Sequence, residues 1–252
     1  MDASERRAQL VSDLQQTGRV DVAESAAALD AAEMTIRRDL DVLVSQGVAR
    51  RVRGGAVSLL MRGEELPFAM RQLESGPSKQ RMAELVATLV QDGEAVVLDS
   101  GTTGLAVAHA LSARRLTIMP LSLPAASVLS TSPSTTLLVP AGTARFGEGS
   151  LVGPMTEASV RSLRFDIAVL TCCGLSAAGG VTAHDVQDAA VKRAAIDASA
   201  RTVLVAEGAK FARTALAVVS PVSRVDVLVT DDEAPEAAVQ QWAAEGIDVR
   251  RA

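Results

Sequence analysis

The sequence predicts an α/β chain in two parts, a small N-terminal winged helix-turn-helix followed by a larger α/β domain built on a mostly parallel sheet. Three observations predict it. The first 59 residues hold three short helical patterns and then a basic, glycine-turned hairpin. Residues 60–79, with Arg62, Gly63, Glu64, Glu65, Pro67, Gly76 and Pro77, show no clear periodicity. From residue 80 onward helical and strand-like segments alternate, the pattern of parallel strands joined through crossover helices. The expected organisation is therefore a winged helix-turn-helix at 1–59, a linker at 60–79 and an α/β domain at 80–252.

In the first part, Leu10, Val11 and Leu14 form a helical apolar stripe that Gly18 ends. A short Val20-Asp21-Val22 link leads to a helix near 24–29. A third helix runs from about 33 to 46, with Ile36, Leu40, Leu43 and Val44 on one face and Gly47 after it. Residues 48–59 alternate apolar and basic side chains around Gly54-Gly55 and read as a two-stranded hairpin. The second part reads as helix 80–91, strand 95–98, helix 103–112, strand 116–119, helix 124–130 and strand 136–139. Strand 166–171, helix 185–200, strands 202–205 and 225–230 and a helix near 235–245 follow.

Composition narrows the function classes. A 48% hydrophobic content suits a packed core, and only 2% aromatics argues against binding single-stranded nucleic acid by stacking. The net charge is −5, yet residues 35–62 hold six arginines against two acids, a local +4 that leaves −9 elsewhere. Such a patch, not the total, is what a phosphate backbone meets. The adjacent Cys172-Cys173 suit a reducing compartment, and no metal-ligand spacing accompanies them. The uncharged stretch 116–144 is broken by Pro120, Pro124, Pro133 and Pro140, so no membrane span is expected and the cytoplasm is the expected location.

Two motifs carry chemistry. With Ile36 pointing inward on the third helix, the 100° step puts Met34, Arg37, Arg38 and Asp41 outward and Thr35 at the flank. That presents guanidinium groups and a hydroxyl to a major groove, while Arg50, Arg51 and Arg53 of the hairpin reach adjacent backbone or minor groove. The bland alternative is a solvated face with Arg37 and Asp41 as an ordinary i,i+4 pair. The second motif, Asp99-Ser100-Gly101-Thr102-Thr103-Gly104, follows a strand and opens a helix. Its glycines, hydroxyls and helix N-terminal N–H groups form a cradle for an anion, phosphate first of all.

The run from Leu29 to Leu40, with Thr35-Ile36-Arg37-Arg38-Asp39-Leu40 at its centre, then Leu43, Gly47 and Arg53-Gly54-Gly55-Ala56, resembles the DNA-binding domain of the DeoR/GlpR family of bacterial regulators. The resemblance continues through Lys79, the Asp99–Thr103 loop, Gly153-Pro154, Val191-Lys192-Arg193-Ala194, Lys210-Phe211 and Val229-Thr230-Asp231. It implies a sensing domain of the ribose-5-phosphate isomerase group that binds phosphorylated sugars or related metabolites. It further implies inducer-response roles for Lys79, Lys210 and Glu207. Ala32 stands where the family usually has a capping serine, and Arg53 where it usually has histidine. Around the expected ligand the family pattern is altered at Glu207-Gly208-Ala209-Lys210, at Cys173 and at Pro120-Leu121-Ser122. Lys192, Arg145 and His184 are further candidates to line that pocket.

The expected function is a sequence-specific, double-stranded operator-binding regulator, a repressor of a carbohydrate or related metabolic operon that a phosphorylated effector relieves. It would act as a homodimer or homotetramer, without a cofactor and without enzymatic activity. Two rivals stand beside it: a sugar-phosphate isomerase with an appended DNA-binding domain, and a regulator that answers a protein partner instead of a ligand. The first would need a carboxylate base near the phosphate loop, for which Asp185 and Asp188 are the neighbours in sequence.

Overall fold

The computed structural model describes residues 2–59, 68–72, 76–211 and 213–252. The chain divides into two compact units, Met1–Ser75 and Gly76–Ala252.

The first unit comprises α1 (Ala3–Thr17), β1 (Arg19–Asp21), α2 (Val22–Ala28), α3 (Glu33–Ser45), β2 (Ala49–Val52), β3 (Gly55–Ser58) and α4 (Phe68–Arg71). Its core joins Leu10, Val11 and Leu14 of α1 to Ile36, Leu40 and Leu43 of α3, with Val20, Val22, Val48 and Ala56, all essentially inaccessible. Each fully buried leucine or isoleucine here contributes about 1.5–3 kcal/mol over its exposed state. The hairpin expected to have two strands is a three-stranded antiparallel sheet in the order β1-β3-β2, because the supposed link at 20–22 supplies β1. Strand β1 lies so close that a Cβ at Gly55 would overlap the Val20 carbonyl, and Gly54 takes φ +83, so each of the two turn glycines has its own reason. Asp21, at the end of β1, accepts hydrogen bonds from the N–H groups of Ala23 and Glu24 and so starts α2 earlier than expected.

The linker expected at 60–79 is shorter than read. Met70 of α4 is 3% exposed and packs into the first unit's core. Residues 60–67 and 73–75 lie outside the described residues, and from Gly76 the chain is helical again, because Pro77 sits in the first turn where its missing N–H costs nothing.

The second unit runs α5 (Gly76–Leu89), β4 (Ala95–Leu98), α6 (Gly101–Leu111), β5 (Thr117–Pro120), α7 (Leu123–Leu129), β6 (Thr136–Leu137), β7 (Thr143–Ala144), β8 (Leu151–Val152) and α8 (Pro154–Arg161). It continues through β9 (Phe165–Thr171), β10 (Gly174–Ser176), β11 (Gly180–Ala183), α9 (Val186–Asp197), β12 (Ser199–Val205), β13 (Ala217–Ser220), β14 (Val227–Thr230), α10 (Glu236–Ala244) and β15 (Asp248–Arg251). Seven strands form one wholly parallel sheet in the order β15-β14-β12-β9-β4-β5-β6. Helices α5, α6 and α7 cover one face, where Met82, Val86, Val107, Leu111 and Leu129 pack on Val96, Leu98 and Ile167. Helices α8, α9 and α10 cover the other, through Val160, Ala194, Ile196 and Trp242. Outside this sheet, β10, β11 and β13 form an antiparallel sheet and β7 and β8 a short hairpin. None of β7, β8, β10, β11 and β13 was expected; all five are short strands in antiparallel pairs outside the parallel sheet, where no helix-strand alternation marks them. The helix expected at 185–200 stops at Asp197 because β12 already begins at Ser199.

From β4 the strands proceed toward β6, whereas from β9 they proceed the other way toward β15. The order therefore switches between β4 and β9. A crevice outside the carboxyl ends of two such strands is where parallel sheets place ligands.

Candidate functional site

On α3 the outward face matches the sequence reading in part. Met34 is 60% exposed, Arg37, Arg38 and Asp41 are exposed, and Thr35 is half-buried at the flank. The charges, however, pair differently from the simple i,i+4 scheme. Arg37 Nη2 lies 3.0 Å from Glu33 Oε2, and Asp41 pairs instead with Arg51 Nε at 2.9 Å. Arg51 also donates to the Arg37 carbonyl at 3.4 Å, so the guanidinium expected to reach DNA from the hairpin braces β2 against α3. Arg38 of the helix and Arg50 and Arg53 of the hairpin are exposed and hold no ion pair or hydrogen bond among the described residues. A residue the sequence reading left without a role is Asp39. It is 6% exposed and takes Arg6 Nε at 2.6 Å, locking α1 onto the inner side of α3. At the helix start Ala32 provides no side-chain cap, so its carbonyl alone receives the N–H groups of Thr35 and Ile36.

The second site lies at the sheet's switch point. Asp99 ends β4, is 1% exposed, and its Oδ2 accepts the Thr171 N–H at 2.8 Å and the Thr171 hydroxyl at 2.9 Å from the end of β9. Lys192 of α9 donates to the same oxygen and stands 3.4 Å from Asp188 Oδ2. Lys192 is wholly enclosed. Burial works against its charge, but Asp188 and Asp99 outweigh burial and raise its pKa above the usual lysine value. Burial, joined by the charge of Asp99, also raises the Asp188 carboxyl against the pull of Lys192 and Arg145. Lys192 is thus a buried tie between α9 and the loop, where the sequence reading had it lining the pocket.

Above that tie, α6 begins at Gly101 with φ +83, and Ser100 makes no side-chain cap. Ser100, Thr102 and Thr103 are 8%, 7% and 9% exposed, and their hydroxyls have no hydrogen-bond partner among the described residues. A Cβ at Gly104 would overlap the Asp99 carbonyl, so the helix can pack this tightly only on glycine. Three unpartnered hydroxyls that still reach solvent from nearly buried residues, at the start of α6, form an arrangement that an oxyanion would satisfy. Lys79 and Glu207 meet at 3.8 Å beyond the end of β12, two strands from β4, roughly 10 Å away at normal strand spacing. Asp231 fixes that corner by accepting from Gly208 N–H at 2.8 Å and Ser78 hydroxyl at 2.7 Å. Lys210 closes the short 3-10 turn that follows Glu207. Among the described residues no group of three His, Cys, Asp or Glu is placed to hold a metal ion.

Comparison with known proteins identifies the family. Residues 6–60 match the model of the DeoR-like helix-turn-helix domain, and residues 74–232 match that of the DeoR C-terminal sensor domain. The chain belongs to the DeoR family. The glycerol-3-phosphate regulon repressor of Haemophilus influenzae is 33% identical over 240 residues, spanning 95% of this chain and 93% of that protein. Its Escherichia coli K12 namesake is 30% identical over 95% of each. Among solved structures, ribose 5-phosphate isomerase A of Methanocaldococcus jannaschii superposes on 55% of each chain with a TM-score of 0.42 at 13% identity. As a DeoR-family member the chain is a DNA-binding transcriptional regulator with a sensor domain, and α3 with its arginines lies inside the matched DNA-binding segment. The Asp99–Thr103 loop, Lys192, Glu207 and Lys210 all lie inside the matched sensor segment. Among the described residues no helix is long and apolar enough to cross a membrane.

Proposed function

We propose that this chain represses a carbohydrate-linked operon by holding its operator through α3 and the β2–β3 wing, and releases it when a phosphorylated, sugar-like metabolite enters the crevice at Asp99–Thr103. The observation that carries the sensing half is the set of three hydroxyls on nearly buried residues, unpartnered among the described residues, at the uncapped start of α6. Arg38, Arg50 and Arg53, uncommitted within the protein, support the DNA half, with Arg38 reading a base edge and the wing arginines gripping phosphates. Met34 and Thr35 border the same face, while Arg37 and Arg51 shape it. The relatives named for glycerol 3-phosphate support a small phosphate ester as effector. The protein works in the cytoplasm as a symmetric dimer or tetramer, because paired half-sites require paired reading helices. It needs no cofactor and performs no catalysis.

Binding-site selection with the full-length protein, with and without a panel of phosphorylated metabolites that includes glycerol 3-phosphate, tests the proposal. The expected result is one dyad-symmetric motif that a phosphorylated compound, and not its unphosphorylated parent, displaces. A ligand at one hundred times its Kd adds about 2.7 kcal/mol to stability, so a thermal-shift screen reads the same event. If no phosphorylated compound raises the melting temperature, the sensing proposal fails. One observation favours a second reading: Asp188 is a carboxyl with a raised pKa beside the loop, as a proton-transfer base would be. Isomerisation of ribose 5-phosphate by the wild type and its loss in Asp188→Asn would establish an enzyme instead.

A further inference from the structure

The β7–β8 hairpin bridges the carboxyl end of β5 and the start of α9. One side of its stem is fixed to the carboxyl end of β5, where Leu151 N–H donates to Leu121 C=O at 2.8 Å and Leu123 N–H to Gly149 C=O at 2.9 Å. Strand β5 is the neighbour of β4, which ends in the Asp99 loop. On the other side Arg145 Nε reaches Asp185 Oδ2 at 3.5 Å, and Asp185 begins the helix that carries Asp188 and Lys192. This second attachment is loose. Asp185 is already used by the N–H groups of Gln187 and Asp188, at 2.9 and 2.8 Å. The Arg145 side chain is one-third exposed, and its Nη1 meets only the Ser150 hydroxyl, at 3.5 Å. The next residue, Phe146, is fully exposed between Arg145 and the positive-φ glycines Gly147 and Gly149, and half-exposed Leu123 and Val186 flank the two attachments.

A guanidinium with spare donors, an aspartate that does not need it and a solvated phenyl ring beside an anion cradle form a set that changes partners easily. We propose that Arg145 is a second grip on the anionic effector: its guanidinium leaves Asp185 for the ligand's phosphate, and the turn at 145–149 folds Phe146 over the crevice. This rests on the reading of the Asp99–Thr103 loop as a phosphate site. It names a residue on another element that completes the site, and a compact phosphate ester as the ligand that fits beneath a single ring. Arginine suits the role because its planar fork takes two phosphate oxygens at once.

The test uses the full-length protein, with inorganic phosphate and glycerol 3-phosphate as probes in calorimetric titration. Arg145→Gln weakens both probes about ten-fold or more, the scale of a lost charged hydrogen bond. Asp185→Asn keeps an oxygen to cap α9 but removes the competing charge, so it tightens binding several-fold, a gain that mere structural damage does not produce. In a Phe146→Trp variant the new indole's emission moves to shorter wavelength on binding, while the buried Trp242 stays constant. Unaltered affinity in Arg145→Gln, or weaker binding in Asp185→Asn, overturns this inference and leaves the crevice reading standing. Failure of the wild type to bind either probe overturns both.

Discussion

Replacing Lys192 by methionine tests how the second unit is held together. The side chain is 3% exposed and is the cation shared by Asp99 and Asp188. Methionine keeps the unbranched stem and deletes the charge, leaving Asp99 without its counter-ion and Asp188 with only the weaker pull of Arg145. Removing one partner of a buried pair generally costs about 3–5 kcal/mol. Asp99 still accepts two hydrogen bonds from Thr171, which places the expected loss near the lower end, about 3 kcal/mol. For a unit of this size that lowers Tm by roughly 6–12 °C. The pH dependence carries a sign. The Lys192 pKa is raised, so its stabilisation is complete at every pH below the ordinary lysine value and disappears only in alkali. The Asp188 pKa is raised too, so ionising it costs stability as pH rises through that value. Without the ammonium that cost grows, and protonation relieves it. The variant's deficit must therefore be larger at pH 8 than at pH 5, in thermal melts followed by circular dichroism, with little change between low and high salt. A Tm within 2 °C of wild type, or a deficit equal at the two pH values, would refute the account of Lys192 as a buried tie.

Three further outcomes follow from the geometry. Arg38→Ala weakens specific operator binding by about 1–3 kcal/mol while leaving the melting profile unchanged, and unaltered affinity in a fluorescence-anisotropy titration sinks the assignment of α3 as the reading helix. Ala32→Ser supplies the missing acceptor at the start of α3 and stabilises the first unit by about 0.5–2 kcal/mol in urea unfolding; a neutral result would mean the exposed Ala32 carbonyl already satisfies that turn. Gly104→Ala drives a Cβ into the Asp99 carbonyl, so phosphate binding is lost by calorimetry, and a variant that binds normally contradicts the tight packing of α6 on the loop.

The exposed face of α3 and the turn at Asp99–Thr103 were legible in the sequence because each is local. The apolar stripe of Ile36, Leu40 and Leu43 fixes which way Arg38 points, and the run of small and hydroxylated residues after Leu98 marks a strand-to-helix turn by itself. What stayed hidden depends on partners distant in sequence. Nothing near Asp39 says that Arg6 will enclose it, and nothing near Arg51 says that Asp41 will take it away from the DNA-facing set. Strand β1 looked like a link because three residues have no period, and only the antiparallel partner β3 makes it a strand. Met70 joins the first core from beyond a segment without periodicity, so no pattern could announce it.

One rule covers both sites: the charges that stay uncommitted are the ones left for a partner. On α3 and its wing, Glu33, Asp41 and Asp39 take Arg37, Arg51 and Arg6, and this pairing holds the surface in shape while leaving Arg38, Arg50 and Arg53 unneutralised. In the crevice Asp99 and Asp188 take Lys192, and Glu207 takes Lys79, which leaves hydroxyls, helix N–H groups and the loosely held Arg145 facing the open side. A site built that way is anionophilic without a bare buried cation, since the enclosed ammonium groups of Lys192 and Lys79 are already paired.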